Sequence, residues 1–109
     1  MQAILIGKKA LSVNECWQGK RFKTPKYKQY ERDMLFLLPQ LTIRQGKLAI
    51  QFEFGLSNIC NDVDNGVKPL MDILQKKYNF NDSKVYRLDL IKEIVKKGQE
   101  YIKIKIYDL

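Results

Sequence analysis

In the last nine residues, Ile102, Ile104 and Ile106 alternate with Tyr101, Lys103, Lys105 and Tyr107. A two-residue period becomes one apolar row only when the backbone is extended and one face is covered. The period recurs from Lys47 to Phe54, where Leu48, Ile50, Phe52 and Phe54 face one way and Ala49, Gln51 and Glu53 the other. Two such strands demand a sheet with an apolar layer on one side. The layer has two candidates. Thr24 is placed as an N-cap, with Pro25 at the first helical position. Tyr27, Tyr30, Met34, Leu37 and Leu38 then keep helical spacing until Pro39 ends the run. Beyond Asp64, Val67, Leu70, Met71, Leu74 and Tyr78 do the same, with Pro69 tolerated in the first turn.

Residues 2–6 read as a further strand, and Asn79-Phe80-Asn81-Asp82-Ser83 as a turn. Lys84 to Lys97 fits either a helix (Val85, Leu88, Ile91, Val95) or a strand (Tyr86, Leu88, Leu90). Gly98, between two β-suited segments, favours a hairpin. The expected fold is α+β, in the order β-α-β-α-β-β: a mixed sheet of about four strands with two helices, in a single domain over residues 1–109. No apolar run approaches the roughly 20 residues of a membrane helix. The first residues lack the basic and apolar regions of a secretion signal, so a cytoplasmic location is expected, with Cys16 and Cys60 reduced.

The net charge of +8 is unevenly placed, with 10 Lys/Arg against 3 Asp/Glu in residues 1–49 and 10 against 9 in residues 50–109. A basic half joined to a half with clustered carboxylates suits a polyanion bound beside a metal site. The chain has no histidine, which excludes His-based general bases, Ser-His and Cys-His nucleophiles and nearly all zinc catalysis. Residues 8–26 read as a long loop in which Lys8, Lys9, Lys20, Arg21, Lys23 and Lys26 are interleaved with Trp17 and Phe22. Such a mixture binds phosphate by charge and bases by stacking, unless the two rings pin the loop to the core. Lys28, on the following helix, could also reach a phosphate backbone.

The chemistry concentrates in Asn61-Asp62-Val63-Asp64-Asn65-Gly66-Val67-Lys68-Pro69-Leu70-Met71-Asp72. In an extended segment Asp62 and Asp64 leave the same face, where close carboxylates repel unless a cation lies between them. Oxygen-only ligands suit Mg²⁺ before Zn²⁺. Lys68 follows one turn later. Each residue also has a structural reading: Asp64 as a helix N-cap, and Lys68 as the partner of Asp72 in an i,i+4 ion pair. A calcium loop starting at Asp62 fails, because its sixth position is Val67 and its twelfth Ile73.

The segment from Asp62 to Asp72, with Phe80-Asn81-Asp82-Ser83-Lys84-Val85 about ten residues on, resembles the RusA-type Holliday-junction resolvases. That family has a D-x-D-N-x-x-K core at a strand-to-helix turn and another aspartate before the next strand. The Ser12-Val13-Asn14 stretch and the basic, Tyr-containing helix agree, so the resemblance extends over nearly the whole chain. Asn61 departs from it, where an arginine is frequent, as does Asn81, where another acidic residue is common. The resemblance implies that Asp62, Asp64 and Asp82 bind Mg²⁺ and that Lys68 contacts the scissile phosphate. It also implies a homodimer that cuts four-way branched double-stranded DNA with symmetric nicks, in a bacterial, phage or prophage setting. Two other functions compete: a non-catalytic basic DNA-binding module, and a metal-dependent nuclease of flaps or other branched DNA.

Overall fold

The structure, a computed structural model, describes residues 2–19 and 22–109. Its main sheet has four strands: β1 (Gln2–Ile6), β4 (Leu48–Leu56), β5 (Val85–Ile94) and β6 (Tyr101–Asp108), in the spatial order β1-β6-β4-β5. Two short strands, β2 (Trp17–Gln18) and β3 (Phe22–Lys23), make a separate ribbon. The helices are α1 (Pro25–Leu37) and α2 (Val67–Tyr78). The fold is α+β, and its six main elements follow the expected order.

Strand β4 is central because its inward row is apolar from end to end. Ile50, Phe52 and Phe54 stand opposite Ile106, Ile104 and Ile102 of antiparallel β6, and opposite Leu88, Leu90 and Lys92 of parallel β5. Ile4 of β1 extends the row from the far side of Ile104. A parallel neighbour needs a crossover, and α2 is that crossover. The core joins this row to Tyr27, Tyr30 and Met34 of α1 and to Leu70, Ile73 and Leu74 of α2. Both helix ends obey local chemistry. Thr24 accepts from the Tyr27 N–H at 3.1 Å, and α2 stops at Asn79, in the left-handed region at φ 55°. Leu37, expected to face inward, is 48% exposed; Leu38, just beyond the last turn, is buried in its place.

Within residues 84–97, Val85–Ile94 form a strand, but β5 and β6 do not form a hairpin, since β4 lies between them. Gly98 does reverse the chain, at φ 94°. The connection then passes over the end of β4, held by Val95 N–H on Leu56 O (2.8 Å) and by Glu100, which accepts from Ser57 Oγ and the Gly98 N–H at 2.8 Å each. With its long apolar row, β4 buries more by taking a partner on each edge than β5 and β6 would by pairing together. The crossing brings Tyr101 flat over Gly55, where any Cβ would fall within the ring.

The Tyr101 hydroxyl donates to Glu53 at 2.5 Å. That bond, with burial, raises the phenol from 10.0 to about 12. The folded chain therefore holds this proton more tightly than the unfolded one. The stabilisation is whole below pH 10.0 and disappears as pH rises to about 12. Tyr101→Phe is expected to flatten that part of the stability curve, measured by urea unfolding at pH 9 to 12. An unchanged alkaline slope would remove Tyr101 as a contributor.

Candidate functional site

Between β4 and α2 the chain does not remain extended. It makes consecutive turns, with Asn61 N–H on Asn58 O (3.1 Å), Asn65 N–H on Asp62 O (3.3 Å) and Val67 N–H on Asp64 O (3.1 Å). Lys92 of β5 steadies these turns by donating to the carbonyls of Ile59 (3.0 Å) and Asn61 (2.8 Å). The expectation that Asp62 and Asp64 leave one face is therefore corrected: alternation requires extended backbone, and a turn aims side chains two apart in different directions. Asp62 opens on a polar depression that also includes Ser12, Asn14, Asn61 and Asn65. Asp64 opens on a cleft of about 470 Å³ bordered by Val67, Lys68, Met71, Asp82, Val85 and Leu88.

Asp64 is not a helix cap. Gly66 holds that position, and no side chain caps α2. Asp82 is likewise spared, because the 3-10 turn it opens (Asp82–Lys84) is capped by Asn81, which accepts from Ser83 N–H at 2.9 Å. The Asp82 N–H donates to Gln75 at 2.8 Å, and the Gln75 amide reaches back to Met71 O. Asp64 thus meets the cleft just before the first turn of α2, and Asp82 meets it from the turn that hangs on Gln75, near the far end of the helix. Lys68 lies between them and pairs with Asp72 at 3.1 Å, as its i,i+4 spacing foretells. The structure gathers Asp64, Lys68 and Asp82 around one cleft and sets Asp62 in the neighbouring depression. Among the described residues no three His, Cys, Asp or Glu side chains meet closely enough to hold one metal ion.

The hydrogen bonding of the carboxylates separates this group from the rest. Glu15, Glu31, Asp33, Asp72, Asp89 and Asp108 each pair with a Lys or Arg. Glu53 and Glu100 accept from Tyr101 and from Ser57. Among the described residues Asp62, Asp64 and Asp82 do neither, a condition they share with Glu93. In a chain of net charge +8, the three acids without protein partners in this region are those of the motif.

The basic residues divide by the same test. Lys8 pairs with Asp33 (3.0 Å), Lys26 with Glu15 (3.1 Å), and Lys23 with Glu31 (2.8 Å). Burial pushes the Glu31 pKa up, but hydrogen bonds from Lys23 and Lys76 outweigh it and hold the carboxyl below its ordinary value. Lys9 and Lys28 are exposed and have no carboxylate partner among the described residues. Lys20 and Arg21 lie outside the described residues. Trp17 packs edge-on against Tyr27, with centroids 5.7 Å apart, whereas Phe22 is 73% exposed. The loop is anchored instead by buried Leu11 and Cys16. Burial raises the Cys16 thiol to about 11, and neither Cys16 nor Cys60 is in a disulfide. Sequence reasoning missed Lys92, hidden in a segment of ambiguous periodicity, and assigned no shared role to the amides of Asn14, Asn61 and Asn65.

No helix among the described residues is long and apolar enough to cross a membrane. No protein-family model matches the chain, and no curated protein matches it.

Proposed function

We propose that this chain is a Mg²⁺-dependent endodeoxyribonuclease of branched DNA, resolving four-way junctions by paired nicks in recombination and repair. The observation that carries the reading is the set of partnerless carboxylates, Asp64 and Asp82 beside Lys68 at an open cleft and Asp62 in the adjoining depression. An acid that serves stability alone gains from an available lysine, and this chain has 20 Lys and Arg. The chemistry of the donor set fits a hard divalent ion: oxygen only, exposed, and free of competing protein contacts. Asp64 and Asp82 would hold it from the cleft, joined by Asp62 if the turns at 58–66 shift. When bound, such an ion neutralises phosphate oxygens and activates water.

The chain's own residues supply the remainder. Lys68 is paired with Asp72, and its exposed ammonium has donors left for a phosphate oxygen. Lys9 and Lys28 are available to the DNA backbone as they stand; Lys8, Lys23 and Lys26 would first have to exchange their carboxylates for phosphates. Two symmetric nicks need two centres and hence a homodimer, for which the sheet offers two unpaired outer edges, that of β1 with Leu5 exposed and that of β5 with Tyr86 and Ile94 exposed. A cytoplasmic, bacterial or phage-encoded setting belongs to the same reading.

The test compares a mobile four-way junction with linear duplex, flap and single-stranded DNA in Mg²⁺. Preferential, paired cutting of the junction is expected; equal cutting of flaps would assign a broader branched-DNA nuclease. The separation of Asp62 from the cleft favours a second reading, a non-catalytic DNA-binding module, which predicts no cutting and binding indifferent to Mg²⁺. Salt provides a further prediction. If Lys9 and Lys28 alone contact phosphates, the log–log slope of affinity against salt is near −2; if all five described candidate lysines do, it is near −4.5. A flat plot would remove this face from DNA binding.

A further inference from the structure

The depression that receives Asp62 has features the catalytic cleft lacks. It lies where the 3-10 turn Val13–Glu15 meets the turns at 58–66, joined by the Val13 N–H donating to Asn65 O at 2.8 Å. Phe54, Leu56, Ala10 and Gly66 supply its apolar lining. Gly66 makes the close approach possible, since a Cβ there would meet Ala10 at 3.2 Å and the Phe54 ring at 3.3 Å. Around this lining stand Ser12, Asn14, Asn61 and Asn65. Among the described residues the three amide side chains make no hydrogen bond to protein, so their donors and acceptors are available. The volume, about 290 Å³, is at the lower limit for a small-molecule site and admits one ring system.

We infer that this depression receives a single unstacked nucleobase of the strand being cut, next to the scissile phosphate. The inference rests on the nuclease reading and adds to it a determinant of substrate choice. A flat heteroaromatic ring with alternating donors and acceptors matches both halves of the site: the apolar lining takes its face, and the amides read its edge. A phosphate matches less well, because the Asp62 and Glu15 carboxylates line the depression and offset Lys9 and Lys26, the lysine paired with Glu15. The position is apt as well, since Asp62 borders the depression and Asp64, two residues on, borders the cleft. A strand whose phosphate lies against Lys68 would have a neighbouring base within reach of this loop.

The experiment measures fluorescence anisotropy of branched DNA with single-stranded arms, intact or with one abasic site stepped along the arm, in EDTA so that no cutting intervenes. Wild-type protein is expected to lose about tenfold in affinity when the abasic site coincides with the seated base. Asn14→Ala and Asn61→Ala, which remove no side-chain hydrogen bond to the described residues, are expected to bind intact and abasic DNA equally while keeping the salt slope of the wild type. Equal affinity of wild type for intact DNA and every abasic variant would overturn the inference, as would a preference retained in both variants. A nucleoside monophosphate bound as tightly as the intact DNA would assign the site to free nucleotides and also overturn it. Because the readout needs no metal or cleavage, failure of the nuclease reading appears separately, as absent cutting in Mg²⁺.

Discussion

Asp64→Asn is expected to lower Mg²⁺-dependent cutting of a four-way junction by at least about a hundredfold. Binding of the uncut junction should persist or tighten. The substitution keeps the size of the side chain and removes its charge. Asp64 caps no helix and its carboxylate accepts no hydrogen bond among the described residues, so little stability depends on that side chain. An effect on activity without an effect on the melting temperature is then the signature of a ligand. Tightening has a simple cause, since one less anion faces the DNA. Asp82→Asn, across the same cleft, should behave alike. Asp62→Asn tests whether the neighbouring loop joins the set. Single-turnover cleavage and gel-shift assays of the three variants give these values; a variant that cuts at the native rate removes its residue from the site.

Phe52→Ala carries the largest expected effect on stability, a loss of about 3–5 kcal/mol. Phe52 is fully buried at the middle of the central strand, between Ile104 and Leu90, with Phe54 5.9 Å away by ring centroids. Its cross-strand neighbours are fixed by the register of the sheet, so from that side the cavity cannot close without breaking the ladder. For a domain of this size the loss corresponds to more than about 10 °C in melting temperature, a large share of total stability. Urea unfolding should show a lower midpoint with an unchanged slope. A loss under about 1 kcal/mol would mean that the core centre lies elsewhere.

The features that were legible in the chain are those written in local chemistry. Alternation marked β4 and β6, Thr24-Pro25 started α1, and the spacing from Val67 to Tyr78 placed α2. The pairing of strands was not legible. Gly98 predicts a reversal and the chain does reverse, but whether β6 pairs with β5 or crosses to β4 depends on the apolar row of a strand more than forty residues earlier. The site was legible to the same depth. Residue types and spacing marked Asp62, Asp64 and Lys68 as candidates, the family resemblance added Asp82, and the Lys68–Asp72 pair follows from helix geometry. The direction of Asp62 did not follow, because it is set by Lys92 holding two carbonyls of the loop from another strand. The amide-lined depression was invisible for a related reason: it forms only where residues 12–15 meet residues 58–66.

The central claim is that the partnerless aspartates of this chain exist to hold a divalent cation. Mn²⁺ added in small amounts to ¹⁵N-labelled protein tests it directly, since a bound paramagnetic ion broadens the amide signals around it. Selective broadening of residues 62–68 and 82–85, abolished by Asp64→Asn and Asp82→Asn and reversed by excess Mg²⁺, is the predicted result. Broadening spread evenly over all surface carboxylates, Glu93 and Asp108 included, and unaffected by either substitution, would contradict it.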